Sequence, residues 1–168
     1  MSEERKESLV GRDAVIEGLS GHPALQALQA WKPEALLDAK LDRGELTLTI
    51  AAAEIRAAAA TVQAAGYNFF EDMTAVDWFP ASPRFQLSYH LLSHFYKEYI
   101  RLRVLVDGDN PTVDSITPLW PGANFYEREV FDLFGVRFTG HPNLRRILMP
   151  DDWQGHPLRK DYPVEGYR

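Results

Sequence analysis

Residues 121–162 read PGANFYEREVFDLFGVRFTGHPNLRRILMPDDWQGHPLRKDY and divide into a short helix and an irregular tail. Apolar residues recur at helical spacing and predict one buried stripe along the helix: Tyr126, Val130, Leu133 and Phe134. Asn124 and Glu127 have the spacing of a capping box at the helix start. Gly135 permits the left-handed turn that ends a helix. The opposite face of the helix is charged: Glu127, Arg128, Glu129 and Asp132.

The tail after Gly135 has no periodicity, and proline recurs in it too often for a long helix or a central strand: Pro142, Pro150, Pro157 and Pro163. It still carries many large apolar side chains: Phe138, Leu144, Ile147, Leu148, Met149, Trp153, Leu158 and Tyr162. Such a segment must bury them against its own domain, a partner or both, because a solvated linker has few aromatic groups. Five Lys or Arg stand against two Asp between Arg137 and Lys160. We therefore expect an extended, locally basic docking arm.

Composition bounds the class of protein. The 168 residues are 45% hydrophobic and 12% aromatic, as in a folded globular chain, and their formal charge of −6 argues against general nucleic-acid binding. The absence of cysteine excludes disulfides, thiolate zinc sites and cysteine-ligated iron–sulfur clusters. The chain has no run of ~18 apolar residues, so no transmembrane helix is predicted. The charged opening MSEERKESLVGRD predicts a frayed or partner-ordered terminus rather than a secretory signal.

Upstream of the helix, periodicity predicts a strand, a helix and three further strands. Short helical potential, interrupted by Pro33, comes first. The predicted elements are a helical stretch at Leu25–Leu37, a half-buried strand at Glu45–Ile50, a helix at Ala51–Ala65, a strand at Thr74–Trp78, and an antiparallel hairpin of Phe85–Leu91 with Ile100–Val106. This order predicts an α+β fold with a mostly antiparallel sheet, helices packed on one face, and an extended irregular C-terminal arm. We divide the chain into a partly helical segment (1–44), an α+β core domain (45–135) and the C-terminal arm (136–168).

Four of the five histidines are weighed as ligands or proton carriers. His90 and His94 are four residues apart, which would suit a metal on a helix, but in a strand this spacing spans ~13 Å. We therefore expect surface or hairpin histidines there. His141 and His156 each sit in a Gly-His-Pro tripeptide. A role as ligand or proton carrier stays open for them, but we favour turns whose imidazoles bind a backbone group or a carboxylate.

The helix carboxylates also allow two interpretations. Glu127, Glu129 and Asp132 could suit acid–base work. Arg128 and Asp132 are i, i+4 partners, so a salt-bridged helix face is the simpler account. The sequence contains no Gly-rich phosphate loop, nucleophile elbow or cluster of metal ligands. These residues describe a binding subunit better than a catalyst.

The segment Glu127–Leu148, EREVFDLFGVRFTGHPNLRRIL, resembles the signature of the 30 kDa-type peripheral-arm subunit of the proton-pumping NADH:quinone oxidoreductase, respiratory complex I. The matching positions are Glu127, Arg128, Glu129, Asp132, Phe134, Gly135, His141, Arg145 and Arg146. The closing DDWQGHPLRKDYPVEGYR and the TAVDW of residues 74–78 are similar to other parts of that family. The likeness covers roughly residues 45–168, and a motif of this length has a low chance rate.

The resemblance implies a structural subunit in the peripheral arm of the complex, without catalytic residues or a cofactor of its own. FMN, iron–sulfur clusters and quinone would belong to other subunits, and this subunit would pack on the quinone-site subunit and its peripheral neighbours. It would meet the membrane only through the complex, on the cytoplasmic side of the bacterial inner membrane, and bind no nucleic acid. The chain lacks the long extensions of some family members, so we expect a free-standing bacterial-type subunit.

The family signature also implies an interface with the partner. The residues expected there are Glu127, Arg128, Glu129, Asp132, His141, Arg145, Arg146, His156, Arg159, Lys160, Asp161 and Tyr162. An equivalent subunit of an energy-converting membrane hydrogenase or a related dehydrogenase is the alternative. A basic adaptor or nucleic-acid module is a further alternative, which the net acidity disfavours.

Overall fold

The strands of the computed structural model, which describes residues 8–166, form one six-stranded sheet and one two-stranded sheet. The strands are β1 (Leu9–Val10), β2 (Leu36–Asp42), β3 (Glu45–Ile50), β4 (Phe69–Asp77), β5 (Phe85–Ser93), β6 (Glu98–Val106), β7 (Thr112–Asp114) and β8 (Arg137–Thr139). The α-helices are α1 (Arg12–Gly18), α2 (Pro23–Trp31), α3 (Ile55–Ala64) and α4 (Ala123–Phe134). Short 3-10 turns precede β2 and α3, at Pro33–Ala35 and Ala52–Glu54.

The large sheet has the order β1-β2-β3-β6-β5-β4. Neighbouring strands are antiparallel, except that β3 and β6 are parallel. The chain leaves β3 through helix α3, enters the far edge of the sheet as β4, and returns through β5 and β6 to lie beside β3. The predicted hairpin of β5 and β6 is confirmed, and so is the mostly antiparallel sheet. The predicted strand at Thr74–Trp78 is the end of the longer β4.

Helices cover one face of this sheet, as predicted. The inward positions of α3 are buried and small or branched, namely Ile55, Ala58, Ala59 and Val62. They join one apolar cluster with alternate residues of the strands, among them Leu48, Ile50, Leu87, Leu91, Leu102 and Val104. Small side chains let the helix lie close to the sheet, so strand alternation and helix period meet in a single core.

Strand β2 corrects the prediction of helical structure as far as Leu37. Helix α2 ends at Trp31, before Pro33, and the chain then extends as β2. A β-bulge at Leu37 interrupts the alternation of LLDAKLD, so the sequence shows no period of two. Because β2 pairs with β3, hydrogen bonds cross the predicted boundary at residue 45.

The start of the chain also differs from the prediction. Part of the expected frayed or partner-ordered terminus falls on residues 1–7, which lie outside the described residues. From Leu9 onward the chain is ordered, because β1 pairs with Leu41 and Lys40 of β2 and Val15 of α1 is buried in the core.

The half-buried character predicted for β3 is also wrong, because Thr47 and Thr49 on its second face are buried. In the parallel register they lie beside Arg101 and Arg103, whose guanidinium groups donate to the two threonine hydroxyls at 3.2 and 2.9 Å. The arginine side chains thus cover the outer face of β3.

Helix α4 packs against β4 and ends as predicted at Gly135, whose φ of 77° is left-handed. The predicted capping box is wrong. The helix begins at Ala123 after Gly122, and no side chain caps it. Asn124 lies inside the helix, and Glu127 is buried because the α4 face that carries it packs inward.

Candidate functional site

Helix α4 and the C-terminal arm meet at Asp132, which is fully buried. Its carboxylate accepts 3.0, 2.8 and 2.9 Å hydrogen bonds from the backbone N–H groups of Ile147, Leu148 and Met149, and one of 2.6 Å from Arg146. Burial alone would raise the pKa of Asp132, but these backbone and arginine donors hold it below its usual value. The carboxylate is therefore an anchor for the arm.

This arrangement corrects the predicted salt bridge between Arg128 and Asp132. Arg128 instead donates to two arm carbonyls, those of Arg145 at 3.2 Å and Arg146 at 3.0 Å. The sequence spacing allows an i, i+4 pair. In the folded chain Arg146 binds the buried carboxylate instead, and Arg128 donates hydrogen bonds to backbone carbonyls of the arm. Of the predicted charged face, Glu127 is buried as well.

The arm also completes the C-terminus of α4, where a helix leaves carbonyls without intrahelical partners. Three successive carbonyls accept from the arm: Asp132 from His156 Nδ1 at 2.9 Å, Leu133 from the Leu158 N–H at 3.0 Å, and Phe134 from Arg159 Nε at 2.6 Å. Arm and helix thus form one hydrogen-bonded unit.

The two Gly-His-Pro histidines have the structural role that we favoured. A carbonyl only accepts, so His156 carries its proton on Nδ1, facing Asp132. His141 likewise donates from Nε2 to the Asn124 carbonyl at 3.2 Å and accepts from the Asn143 N–H at 3.0 Å. Burial is the main cause that lowers the pKa of both imidazoles, which favours their neutral forms.

The strand histidines lie away from the arm. His90 Nδ1 binds Asp72 at 2.5 Å and its Nε2 accepts from Arg101 at 2.8 Å, while the His94 ring lies against Phe69. No group of three His, Cys, Asp or Glu side chains suited to a metal occurs between residues 8 and 166. These contacts agree with the expectation of surface or hairpin histidines.

A second anchor lies at the end of β4, where Asp77 is buried. Its carboxylate accepts from Arg84 at 2.8 and 2.9 Å, from the Phe79 N–H at 3.0 Å and from the Lys160 N–H at 2.8 Å. Arg84 also binds Asp161 at 2.6 Å. Burial opposes ionisation, yet these donors lower the pKa of Asp77 to about 2. Neither Asp77 nor Arg84 is among the residues predicted for the interface, although Asp77 lies in the TAVDW stretch.

Several of the arm's large apolar side chains lie at the surface. Of the apolar side chains named for the tail in the sequence analysis, Phe138 is buried and Leu144 packs on the core, but four later ones are exposed. We call these four the arm surface: Ile147 (36% exposed), Leu148 (60%), Trp153 (39%) and Leu158 (49%). Beyond Leu144 the C-terminal arm thus binds its own domain mainly through backbone, histidine and charged groups, and it leaves these four apolar side chains exposed.

The twelve residues predicted for the interface divide by burial. Glu127 and Asp132 are buried, and six are partly buried: Arg128, His141, Arg146, His156, Arg159 and Tyr162. The exposed ones are Glu129, Arg145, Lys160 and Asp161. The structure brings most of them together where α4 meets the arm, and their role toward a partner stays a prediction.

Glu127 sits in a separate polar site beneath α4. One carboxylate oxygen accepts from the Ile116 N–H at 2.7 Å, and the other has no hydrogen-bond partner among the described residues. The buried Tyr89 hydroxyl also lacks one within the described part of the chain. Burial raises the pKa of Glu127 to about 7, against the opposing effects of Ser115, Ile116 and Arg56. This enclosed carboxyl can hold a proton but is not open to a substrate.

Comparison with known proteins places the chain. The family model described as "Respiratory-chain NADH dehydrogenase, 30 Kd subunit" matches residues 48–168. An NADH-quinone oxidoreductase subunit of Roseiflexus sp. (strain RS-1) is 46% identical over 149 residues, which are 87% of this chain and 86% of that one. The same subunit of the Moorella thermoacetica enzyme is 54% identical over 100 residues, 60% of this chain and 67% of the other.

Solved structures agree. A trypsin-resistant fragment of Nqo5 (1-134) superposes with a TM-score of 0.62 at 30% identity, covering 73% of this chain and 99% of the fragment. A chain of the membrane-bound sulfane sulfur reductase, an archaeal respiratory membrane complex, gives 0.74 at 25% identity and covers 86% of each chain. Among residues 8–166, no helix combines the length and apolar character needed to span a membrane. The chain belongs to the family of 30 kDa subunits of the respiratory-chain NADH dehydrogenase.

Proposed function

We propose that this chain is a structural subunit in the peripheral arm of an NADH:quinone oxidoreductase, with no catalytic residue or cofactor of its own. The complex would transfer electrons from NADH to quinone and couple this to ion translocation, with FMN and iron–sulfur clusters on other subunits. Family membership supports this role. Asp132, a residue of the family signature, also supports this role, because it is buried and its carboxylate anchors the arm.

The C-terminal arm would dock on the quinone-site subunit. The observation that carries this proposal is the arm surface, four apolar side chains turned outward from a segment whose polar groups bind their own domain. Four exposed apolar side chains within residues 147–158 favour an interaction site, and covering them contributes ~25 cal/mol per Å². Through this contact the chain would be held at the cytoplasmic side of the bacterial inner membrane, without entering the bilayer.

Leu148→Asp tests this docking. The side chain is exposed, so the unfolding free energy of the isolated variant should lie within about 0.5 kcal/mol of the wild-type value. In the complex it would place an unpaired carboxylate in an apolar contact, which costs several kcal/mol. We expect co-purification of the quinone-site subunit from mild-detergent membranes to fall at least ~10-fold, since each 1.4 kcal/mol is tenfold.

Leu37→Asp is the matched control, since Leu37 is 57% exposed but lies on β2, away from the arm. It should retain the partner at the wild-type level. Wild-type recovery of the partner with Leu148→Asp would show that the arm surface does not dock.

An equivalent subunit of a related membrane complex is the second candidate. The likeness to the chain from the sulfane sulfur reductase complex favours it, with a TM-score of 0.74 over 86% of this chain. Identification of the co-purified subunits separates the two. An NADH-binding flavoprotein would support the oxidoreductase, whereas a nickel-site large subunit would support a hydrogenase-type complex.

A further inference from the structure

We infer that the loop between β4 and β5 is a second part of the docking surface, and that Trp78 and Phe79 insert into the same subunit that covers the arm surface. This inference rests on the proposed function and adds a contact from the core domain. The family signature's expected interface did not include these two residues. The partner should offer an apolar recess for two aromatic rings.

The loop exposes both rings. Trp78 is 52% and Phe79 is 48% exposed, although they directly follow a strand whose last residue, Asp77, is buried. Aromatic side chains, Trp above all, are enriched at protein interfaces and in the small set of residues that dominate binding energy. Two neighbouring half-exposed rings at one strand end are therefore suited to a partner surface.

The loop is continuous with the arm. The buried carboxylate of Asp77 holds the Phe79 N–H at 3.0 Å and the Lys160 N–H at 2.8 Å. The guanidinium of Arg84 lies 5.0 Å from the centre of the Phe79 ring and also binds Asp161. Leu158 of the arm surface lies two residues before Lys160. A partner that covers the end of the arm surface therefore meets the loop.

The loop is also held in place before any partner binds. Its ends are joined by a 2.8 Å hydrogen bond from the Trp78 N–H to the Arg84 carbonyl. Within it, the Ala81 N–H donates to the Trp78 carbonyl at 2.8 Å. A surface ordered in advance loses less conformational freedom on association. The rings can therefore act as preformed anchors.

The opposite end of the sheet supplies the matched control. Phe95 is 81% exposed in the turn between β5 and β6. The register pairs Asp77 with Phe85 at one end of β5 and Glu98 with Ser93 at the other. Phe95 is thus a more exposed aromatic group, remote from the loop and on the same scaffold.

The test compares full-length Trp78→Ala, Phe95→Ala and Leu148→Asp chains in complexes purified from mild-detergent membranes. We expect Trp78→Ala to reduce retention of the quinone-site subunit about 10–30-fold, the effect of losing a dominant interface residue. The isolated variant should melt within about 2 °C of the wild type, because the ring is half exposed. Phe95→Ala should retain the partner at the wild-type level.

Each other outcome is decisive. Wild-type retention by Trp78→Ala together with loss by Leu148→Asp would overturn this inference and leave the proposed function standing. Wild-type retention of the partner by both variants would overturn this inference and the proposed docking of the arm. Equal loss with Phe95→Ala would overturn the assignment to this loop. If sedimentation showed an isolated wild-type dimer that Trp78→Ala dissociates, the rings would meet a second copy of the chain, and the inference would be wrong.

Discussion

Asp132→Ala is expected to lower the free energy of unfolding by about 3–5 kcal/mol, the cost of removing one partner from a buried ion pair. The substitution leaves the guanidinium of Arg146 without its carboxylate and the N–H groups of residues 147–149 without their acceptor. The anchored part of the arm should then detach. Urea unfolding measures the loss of stability, and limited proteolysis of the native variant should show new cleavage between residues 145 and 155.

Glu129→Ala is the control for this change. Glu129 lies on the same helix but is exposed, so its removal should change the unfolding free energy by no more than about 0.5 kcal/mol. An Asp132→Ala variant as stable and as protease-resistant as Glu129→Ala would mean that the carboxylate does not hold the arm.

The second large effect is a pH dependence that Glu127→Gln removes. Burial raises the pKa of Glu127 from 4.5 to about 7, so the folded chain binds a proton that the unfolded chain has lost. Its contribution to stability is fully present below pH 4.5 and is lost as the pH rises to about 7. At 1.36 kcal/mol per pH unit, the total is about 3 kcal/mol. Gln keeps the shape and the neutral state at every pH.

The measurement is the difference in unfolding free energy between wild type and Glu127→Gln from pH 4.5 to pH 8. The difference isolates this group from His141 and His156, whose lowered pKa values act in the opposite direction because their folded forms resist protonation. The wild type should lose stability relative to the variant as pH rises. A difference that stays constant with pH would show that the Glu127 carboxyl titrates normally in the folded chain.

Local pattern was sufficient for much of the fold. Apolar and polar residues alternate along Phe85–Leu91, and the stop at Gly135 needs only one residue able to adopt positive φ. Strand β2 could not be predicted in this way. Its bulge breaks the alternation, and its extended form depends on pairing with β3, which is a tertiary contact.

The candidate site divides along the same line. The sequence located the charged residues on α4 and in the arm, but not which of them meet. Asp132 is buried, and Arg128 binds carbonyls of the arm instead of Asp132. Both features depend on how the irregular arm folds back on the helix. Helical spacing alone pointed to the neighbour four residues away. The second anchor joins Asp77 to Lys160, 83 residues along the chain, and no local pattern reports such a contact.

Point substitutions on the arm surface are sharper tests than deletion of the arm. Deletion would remove the partners of two buried carboxylates, Asp77 and Asp132, and the caps of helix α4. The domain would then lose stability whether or not the arm docks. Leu148→Asp changes only an outward side chain and leaves the backbone N–H that binds Asp132 in place.

Hydroxyl-radical footprinting of Trp153 tests most directly the claim that a partner covers the arm surface. The ring is 39% exposed in the isolated chain and should react there with the radical. In the assembled complex we predict that its oxidation falls to background, while Phe95, remote from the arm, keeps its reactivity. Equal oxidation of Trp153 in the isolated chain and in the complex would contradict the account, because the arm surface would then face solvent in both.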